Sequence, residues 1–195
     1  MASPTACDLP LILLFFAVAF LSSLAVAGEE LRGTPMGSVG ILFPGDGGGA
    51  AGGKHPSREF LDAHNRVRRY VGEAPIVWDR SLAMYARRWA KRRRADCRCI
   101  HSGGPYGENM FWGTGKGWRA ADAVRSWALE HYDYDRGSNS CRPGRMCGHY
   151  TQIVWNATVM VGCARADCFD GGVIMVCNYH PPGNFIGENP FESAA

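Results

Sequence analysis

The sequence has none of the short signatures that mark several large enzyme classes. There is no H-E-x-x-H, no G-x-x-x-x-G-K-[ST] and no G-x-S-x-G. Zincin-type proteases, P-loop nucleotide hydrolases and α/β-hydrolases are thereby disfavoured. The nearest miss, Met36-Gly37-Ser38-Val39-Gly40, lacks its first glycine. Gly113-Thr114-Gly115-Lys116-Gly117 follows no predicted strand, so it reads as a loop rather than a phosphate cradle. Paired zinc knuckles are missing too, since Cys97-x-Cys99 and Cys163-x4-Cys168 have the wrong spacing. No internal repeat and no nucleic-acid motif is present. The first 27 residues contain no Lys or Arg.

What is there fits one domain with length to spare: 195 residues, 46% hydrophobic and 20% charged. Part of the apolar content is a single block, Leu9 to Leu24, which ends at Ala25-Val26-Ala27 before Gly28-Glu29-Glu30. An uncharged apolar core followed by a small-residue A-x-A site predicts a secretory leader over residues 1–27. The alternative, an uncleaved anchor, wants roughly 20 apolar residues. Cleavage removes Asp8 and no base, which raises the formal charge from +3 to +4. Such mild basicity favours approach to acidic cell-wall polymers or membranes without naming either. An exported chain also argues against nucleic acid as a partner.

Cysteine usage agrees with export. Cys7 leaves with the leader, and Cys97, Cys99, Cys141, Cys147, Cys163, Cys168 and Cys177 all lie in the second half. That clustering predicts a disulfide framework, with one cysteine left over.

Residues 28–56 are rich in glycine and small side chains, which predicts a tail that cannot offset its own ordering entropy. A helix is expected from Arg58, capped by Ser57, with Phe60, His64, Val67 and Val71 on one face and Pro75 as its stop. A second helix, capped by Asp79 or Ser81, turns Leu82, Tyr85, Ala86 and Trp89 to one side. Its other side and end are basic: Arg87, Arg88, Lys91, Arg92, Arg93 and Arg94. Bases in a last turn complement the helix dipole, which competes with an anion site as their explanation. Residues 103–117 and 135–148 read as loops, with a third helix over 119–131 between them. Tyr150–Trp155, Val159–Ala164 and Val173–Cys177 read as strands. Helices first and strands last predict an α+β fold, an αβα sandwich with a central antiparallel sheet, stapled by disulfides.

Six phrases occur in fixed order: Ala63-His64-Asn65, His101-Ser102, Tyr106-Gly107-Glu108-Asn109, Cys147 to Trp155 (CGHYTQIVW), Gly162-Cys163 and Cys177-Asn178-Tyr179. Over residues 57–191 the chain thereby resembles the CAP superfamily of cysteine-rich secretory, antigen-5 and pathogenesis-related proteins. Pro181-Pro182-Gly183-Asn184 is similar to its plant pathogenesis-related class 1 branch.

The resemblance implies a non-enzymatic, extracellular (apoplastic) plant defence protein, antimicrobial through binding of sterol or another lipid. It implies a cavity lined by His101, Glu108, Glu130 and His149. Those ligand types suit zinc or another divalent ion, and equally a metal-free hydrogen-bonded cluster, so no cofactor is required. A metal-assisted hydrolase with Glu108 or Glu130 as base is the enzymatic alternative. Disulfides Cys97–Cys168, Cys141–Cys147 and Cys163–Cys177 are implied, with Cys99 as the odd thiol or exchanged with Cys97. A lipid loop around Tyr132 and Tyr134 is implied as well. Pro181–Phe191 resembles the segment thought to be released as a signalling peptide for a receptor, and otherwise reads as a Pro-rich strap before a short tail, 192–195. His64 reads as a core histidine, and Trp78, Trp89, Trp127 and Trp155 as core. Asn156-Ala157-Thr158 is a glycosylation acceptor.

Overall fold

The computed structural model describes residues 5–6 and 55–192. The predicted leader and glycine-rich tail otherwise lie outside the described residues. Helix α1 spans Pro56–Val71 and begins two residues before the predicted start. Its cap is His55, whose Nδ1 accepts from the Ser57 amide, and Pro56 occupies the first helical position, where no amide is needed. It ends at Gly72, which adopts φ 87° and returns its amide to the carbonyls of Arg68 and Arg69, three residues before Pro75. Helix α2 spans Arg80–Arg93, and of the two cap candidates Asp79 serves, accepting from the Leu82 amide at 2.7 Å. Helix α3 covers Ala120–Leu129 and tightens into a 3-10 turn at Glu130–Asp133.

Strands β1 (Thr5–Ala6), β2 (Val77–Trp78), β3 (Gly107–Gly113), β6 (Met160–Asp167) and β7 (Val173–His180) form one sheet in the order β1-β3-β7-β6-β2. Its centre, β3-β7-β6, is antiparallel as predicted, while β2 joins the far edge in parallel with β6. β1 lies inside the predicted leader. A second, two-stranded ribbon pairs β4 (Tyr134–Asp135) with β5 (Ser140–Cys141) inside the segment predicted as loop.

Period-two alternation divides β7 between two cores. Val173, Met175, Cys177 and Tyr179 pack with α1, α3 and a fourth helix on one face of the sheet. Ile174 and Val176 meet Ala86 and Ala90 of α2 on the other. Helix α2 sits close enough to β6 that a Cβ on Gly162 would collide with the backbone at Leu82 and Ala83. That approach explains the glycine of the Gly162-Cys163 phrase.

The fourth helix corrects a sequence expectation. Tyr150–Trp155 was predicted as a strand, but Gly148–Val154 is α-helical (α4) and His149 through Val154 are all buried. A short apolar run has no periodicity to separate a buried strand from a helix buried all round. The three implied disulfides are present. Cys97–Cys168 ties the end of α2 to the β6–β7 turn, Cys163–Cys177 bridges facing positions of β6 and β7, and Cys141–Cys147 joins β5 to the start of α4. Such links typically stabilise by about 2–4 kcal/mol each. Cys99 is corrected: it too is disulfide-bonded and is not an odd thiol. Among the described residues, no helix is long and apolar enough to cross a membrane.

Candidate functional site: two histidine–carboxylate pairs and an aromatic groove

Glu108 is the second residue of β3, directly opposite Asn178 on β7. Its Oε1 accepts from the Ser102 amide at 2.8 Å and lies 2.9 Å from Nδ1 of His101. Its Oε2 accepts from Nδ2 of Asn178 at 3.2 Å. Burial pushes the Glu108 carboxyl up, but the donors from His101, Ser102 and Asn178 outweigh it and hold the group below its ordinary value. An ionised Glu108 therefore accepts, and His101 carries its proton on Nδ1.

Glu130 sits where α3 gives way to the 3-10 turn, with its carboxylate at the start of α4. Oε2 accepts from the backbone amides of His149 and Tyr150, at 2.9 and 3.3 Å, and Oε1 lies 2.7 Å from His149 Nδ1. A carboxylate is thus supplied from elsewhere in the chain to the unsatisfied amides of a helix whose own cap residue, Cys147, offers no side-chain bond. The His149 ring is stacked on Trp127, with planes at 14°. In both pairs a carboxylate holds Nδ1, which leaves Nε2 as the ring nitrogen turned away from it.

His101, Glu108, His149, Gln152 and Asn184 line one cavity of about 340 Å³. Glu130 was expected on its wall but lies behind His149, spent on the backbone of α4. Among the described residues, no three of the four expected groups bring donor atoms within 4.8 Å of one another. The cluster that does, Cys97, Cys168 and Asp170, has both sulfurs in a disulfide. Ser102, an aliphatic hydroxyl on the cavity wall, accepts from Tyr85 Oη and from the Gly104 amide.

His64 is a core residue, as read: fully buried, it donates from Nδ1 to the Phe60 carbonyl and accepts at Nε2 from Tyr179, each at 2.8 Å. Burial lowers its pKa to about 4, so it is neutral near pH 7. Trp127 and Trp155 are buried, whereas Trp78 and Trp89 are only partly so.

The two loop tyrosines separate. Tyr132 is exposed and tilted against the His131 ring, while Tyr134 donates to Asn139 Oδ1 and lines a second cavity, of about 250 Å³, with Trp155, Phe185 and Pro190. That aromatic groove was missed because Trp155 and Phe185 lie 30 residues apart in sequence. Its outer wall is the Pro181–Phe191 segment, stitched down along its length. Thr158 Oγ1 donates to the Pro181 carbonyl, Gly183 N to Gln152 Oε1, Asn139 Nδ2 to the Glu188 carbonyl and the Asn156 amide to the Pro190 carbonyl. Gly183 lies against the Trp155 ring, where a Cβ would collide. The segment is a strap in this fold. Asn156 follows a helix rather than a strand, is half-buried, and donates its Nδ2 to Glu73, so the glycosylation acceptor is already engaged.

The chain is thus a disulfide-stapled αβα sandwich with two His–Glu pairs at one cavity, and its class follows from comparison with known proteins. The family model described as CAP, the cysteine-rich secretory protein family, matches residues 61–179, and the chain belongs to it. Its relatives include plant pathogenesis-related proteins. It is 49% identical to pathogenesis-related protein 1C of Nicotiana tabacum, over 71% of this chain and 82% of that one. With pathogenesis-related protein PR-1 of Medicago truncatula the identity is 52%, over 68% and 78%. Among solved structures, NaASP2 with Zn2+ superposes with a TM-score of 0.60 at 26% identity, over 71% of this chain and 86% of that one. MpPR-1i superposes with a TM-score of 0.51 at 23% identity, over 68% and 91%. These relatives support a defence-related role of the pathogenesis-related class 1 type.

Proposed function

We propose that this is an exported, non-catalytic plant defence protein that captures a sterol or a similar flat lipid against the Tyr134–Trp155–Phe185 groove and so withdraws it from a pathogen membrane. The supporting observation is the groove itself: aromatic rings held on one side by the β4–β5 ribbon and on the other by the strap, with Phe185 still half exposed. A volume of about 250 Å³ lies below the roughly 300–1,000 Å³ of enclosing ligand sites. One end of a rigid ring system would enter it, and the remainder would lie along the strap. A non-catalytic reading agrees with two carboxylates spent on backbone amides and imidazoles, and with a cavity serine already bound. The reading needs no metal. The two His residues, each backed by a carboxylate, fit a divalent ion through Nε2, with Glu108 and Glu130 as orienting groups rather than ligands. Such an ion would supply Lewis acidity to whatever enters the cavity.

The test is a titration of the disulfide-bonded protein with a labelled plant or fungal sterol, with reduced and heated protein as control. Saturable binding near one sterol per chain is expected, weakened about tenfold in Phe185→Ser, which removes one half-exposed ring from the wall. Binding equal to the control, or unchanged in Phe185→Ser and Tyr134→Ala, would overturn the assignment.

A further inference from the structure

Helix α2 carries a charge pattern that neither the fold nor lipid capture requires. It contains six bases and no acid: Arg80, Arg87, Arg88, Lys91, Arg92 and Arg93, continued by Arg94 at its cap. The helix dipole accounts for bases in the last turn only. Arg80 stands at the opposite, positive end, where the dipole disfavours it. Arg87 with Lys91 and Arg88 with Arg92 are like charges four residues apart, which repel along a helix. Arg88 and Arg92 lie over the rings of Tyr85 and Trp89, but neither meets a countercharge. Among the described residues, no carboxylate pairs with Arg87, Arg88, Lys91 or Arg92. Of the two acids at hand, Asp96 is taken by Arg93 and Asp167 by Arg165, both at 2.6 Å.

The pattern also has a shape. Arg80, Arg87, Lys91 and Arg94 recur at i, i+7, i+11 and i+14, one stripe about 21 Å long at 1.5 Å per residue. Beside its second half lies a groove of about 270 Å³, lined by Arg87, Lys91, Arg94, Arg165 and Asp167. The guanidinium groups on its far side are fixed in place. Arg94 Nε donates to the Asp167 carbonyl at 2.6 Å, and Arg165 is held by the carbonyls of Lys116 and Trp118. At the groove's end Phe169 is 74% exposed, with the Arg94 guanidinium 5.0 Å from its ring centre.

We propose that this face is a docking surface for a linear polyuronate, a polysaccharide with a carboxylate on each sugar. A row of guanidinium and ammonium groups matches a row of carboxylates, and the guanidinium fork suits them in particular. Phe169 offers a ring face to a sugar. An anionic bilayer fits less well. Tyr85 and Trp89 lie beneath the guanidinium groups of Arg88, Arg92 and Arg93, which leaves Met84 and Phe169, 57% and 74% exposed, as isolated apolar side chains among the bases rather than the broad apolar face with which an interfacial helix inserts. The surface lies on the opposite side of the sheet from α1 and α4 and would hold the protein in an acidic polymer matrix while the aromatic groove stays open.

The experiment is co-sedimentation or calorimetry of the disulfide-bonded protein with polygalacturonate, across a series of salt concentrations. Neutral glucan and anionic phospholipid vesicles are the parallel arms. Binding to polygalacturonate that weakens as salt rises is expected. The double variant Arg87→Gln/Lys91→Gln, two exposed side chains, should lose about tenfold in affinity. Arg66→Gln/Arg69→Gln removes the same charge from exposed positions on α1 and should bind as the parent does. No binding at low salt, an equal loss in the α1 variant, or binding to vesicles but not to polygalacturonate would each overturn the proposal. Sterol binding by Arg87→Gln/Lys91→Gln should be unchanged, which keeps its failure separate from that of lipid capture.

Discussion

His149 with Glu130 and His101 with Glu108 make the same contact, imidazole Nδ1 to a buried carboxylate, at 2.7 and 2.9 Å, yet the surroundings of the two imidazoles are opposed. The first pair is sealed between α3 and α4, with the His149 side chain 3% exposed. The second stands at the cavity mouth with the His101 side chain 44% exposed. One carboxylate serves the fold by capping a helix it does not belong to. The other, on β3, is as deeply buried but lines the cavity, where it accepts from Ser102 and Asn178 and holds an imidazole at the mouth. Shared chemistry at one site therefore conceals a division of labour, with the buried pair as frame and the open pair as working face.

Removing the frame should have the largest effect. Glu130→Ala strips three hydrogen bonds from one buried carboxylate and leaves the His149 and Tyr150 amides without that acceptor. A buried donor left unmade costs about 1–3 kcal/mol, so the loss is expected near 4 kcal/mol in a denaturant melt. Glu130→Gln keeps one acceptor oxygen for the amides and should recover part of it. A melt in which Glu130→Ala is no weaker than Glu108→Ala would erase the distinction between frame and face.

The sequence shows some of this division and hides the rest for physical reasons. β7 was legible because Val173–Cys177 is an unbroken apolar run, the mark of a strand buried on both faces. β3 was not, because Gly107-Glu108-Asn109 begins it with residues that favour turns, and tertiary pairing with β7 overrides that preference. α4 was misread since every residue of His149–Val154 is buried and no face is left to reveal a helical period. The four His and Glu positions came from resemblance, and three of them, His101, Glu108 and His149, line the cavity. That Glu130 caps α4 could not be read from sequence, because the acceptor and its donors are 19 residues apart.

His64 adds a third histidine, buried with no carboxylate, and it sharpens the contrast through pH. Its folded pKa of about 4 lies below the unfolded value near 6.5, so the unfolded chain binds the extra proton first. Its contribution is whole above pH 6.5, declines as pH falls through that value, and is fully lost below about pH 4. At about 1.4 kcal/mol per unit, the ceiling is roughly 3 kcal/mol. Stability measured from pH 7 to 4 should fall in the parent, and by less in His64→Gln, which is weaker at pH 7 but has no proton to take up there. Parallel curves for the two proteins would mean that His64 does not titrate in this window.

The open pair should give the smallest effect and in a different range. Because donors hold the Glu108 carboxyl below its ordinary value, its stabilising contribution is present above the unfolded pKa near 4.3 and is lost as pH falls through the folded value. Its window therefore begins where that of His64 ends. Glu108→Gln should lose about 1 kcal/mol at pH 7, chiefly from the Ser102 and Asn178 bonds. His101→Ala should lose less, since an imidazole nearly half in water forfeits little when removed. If His101→Ala costs as much as Glu130→Ala, the mouth of the cavity is frame as well. If it costs almost nothing while changing what the cavity binds, His101 is the residue through which this face meets its ligand.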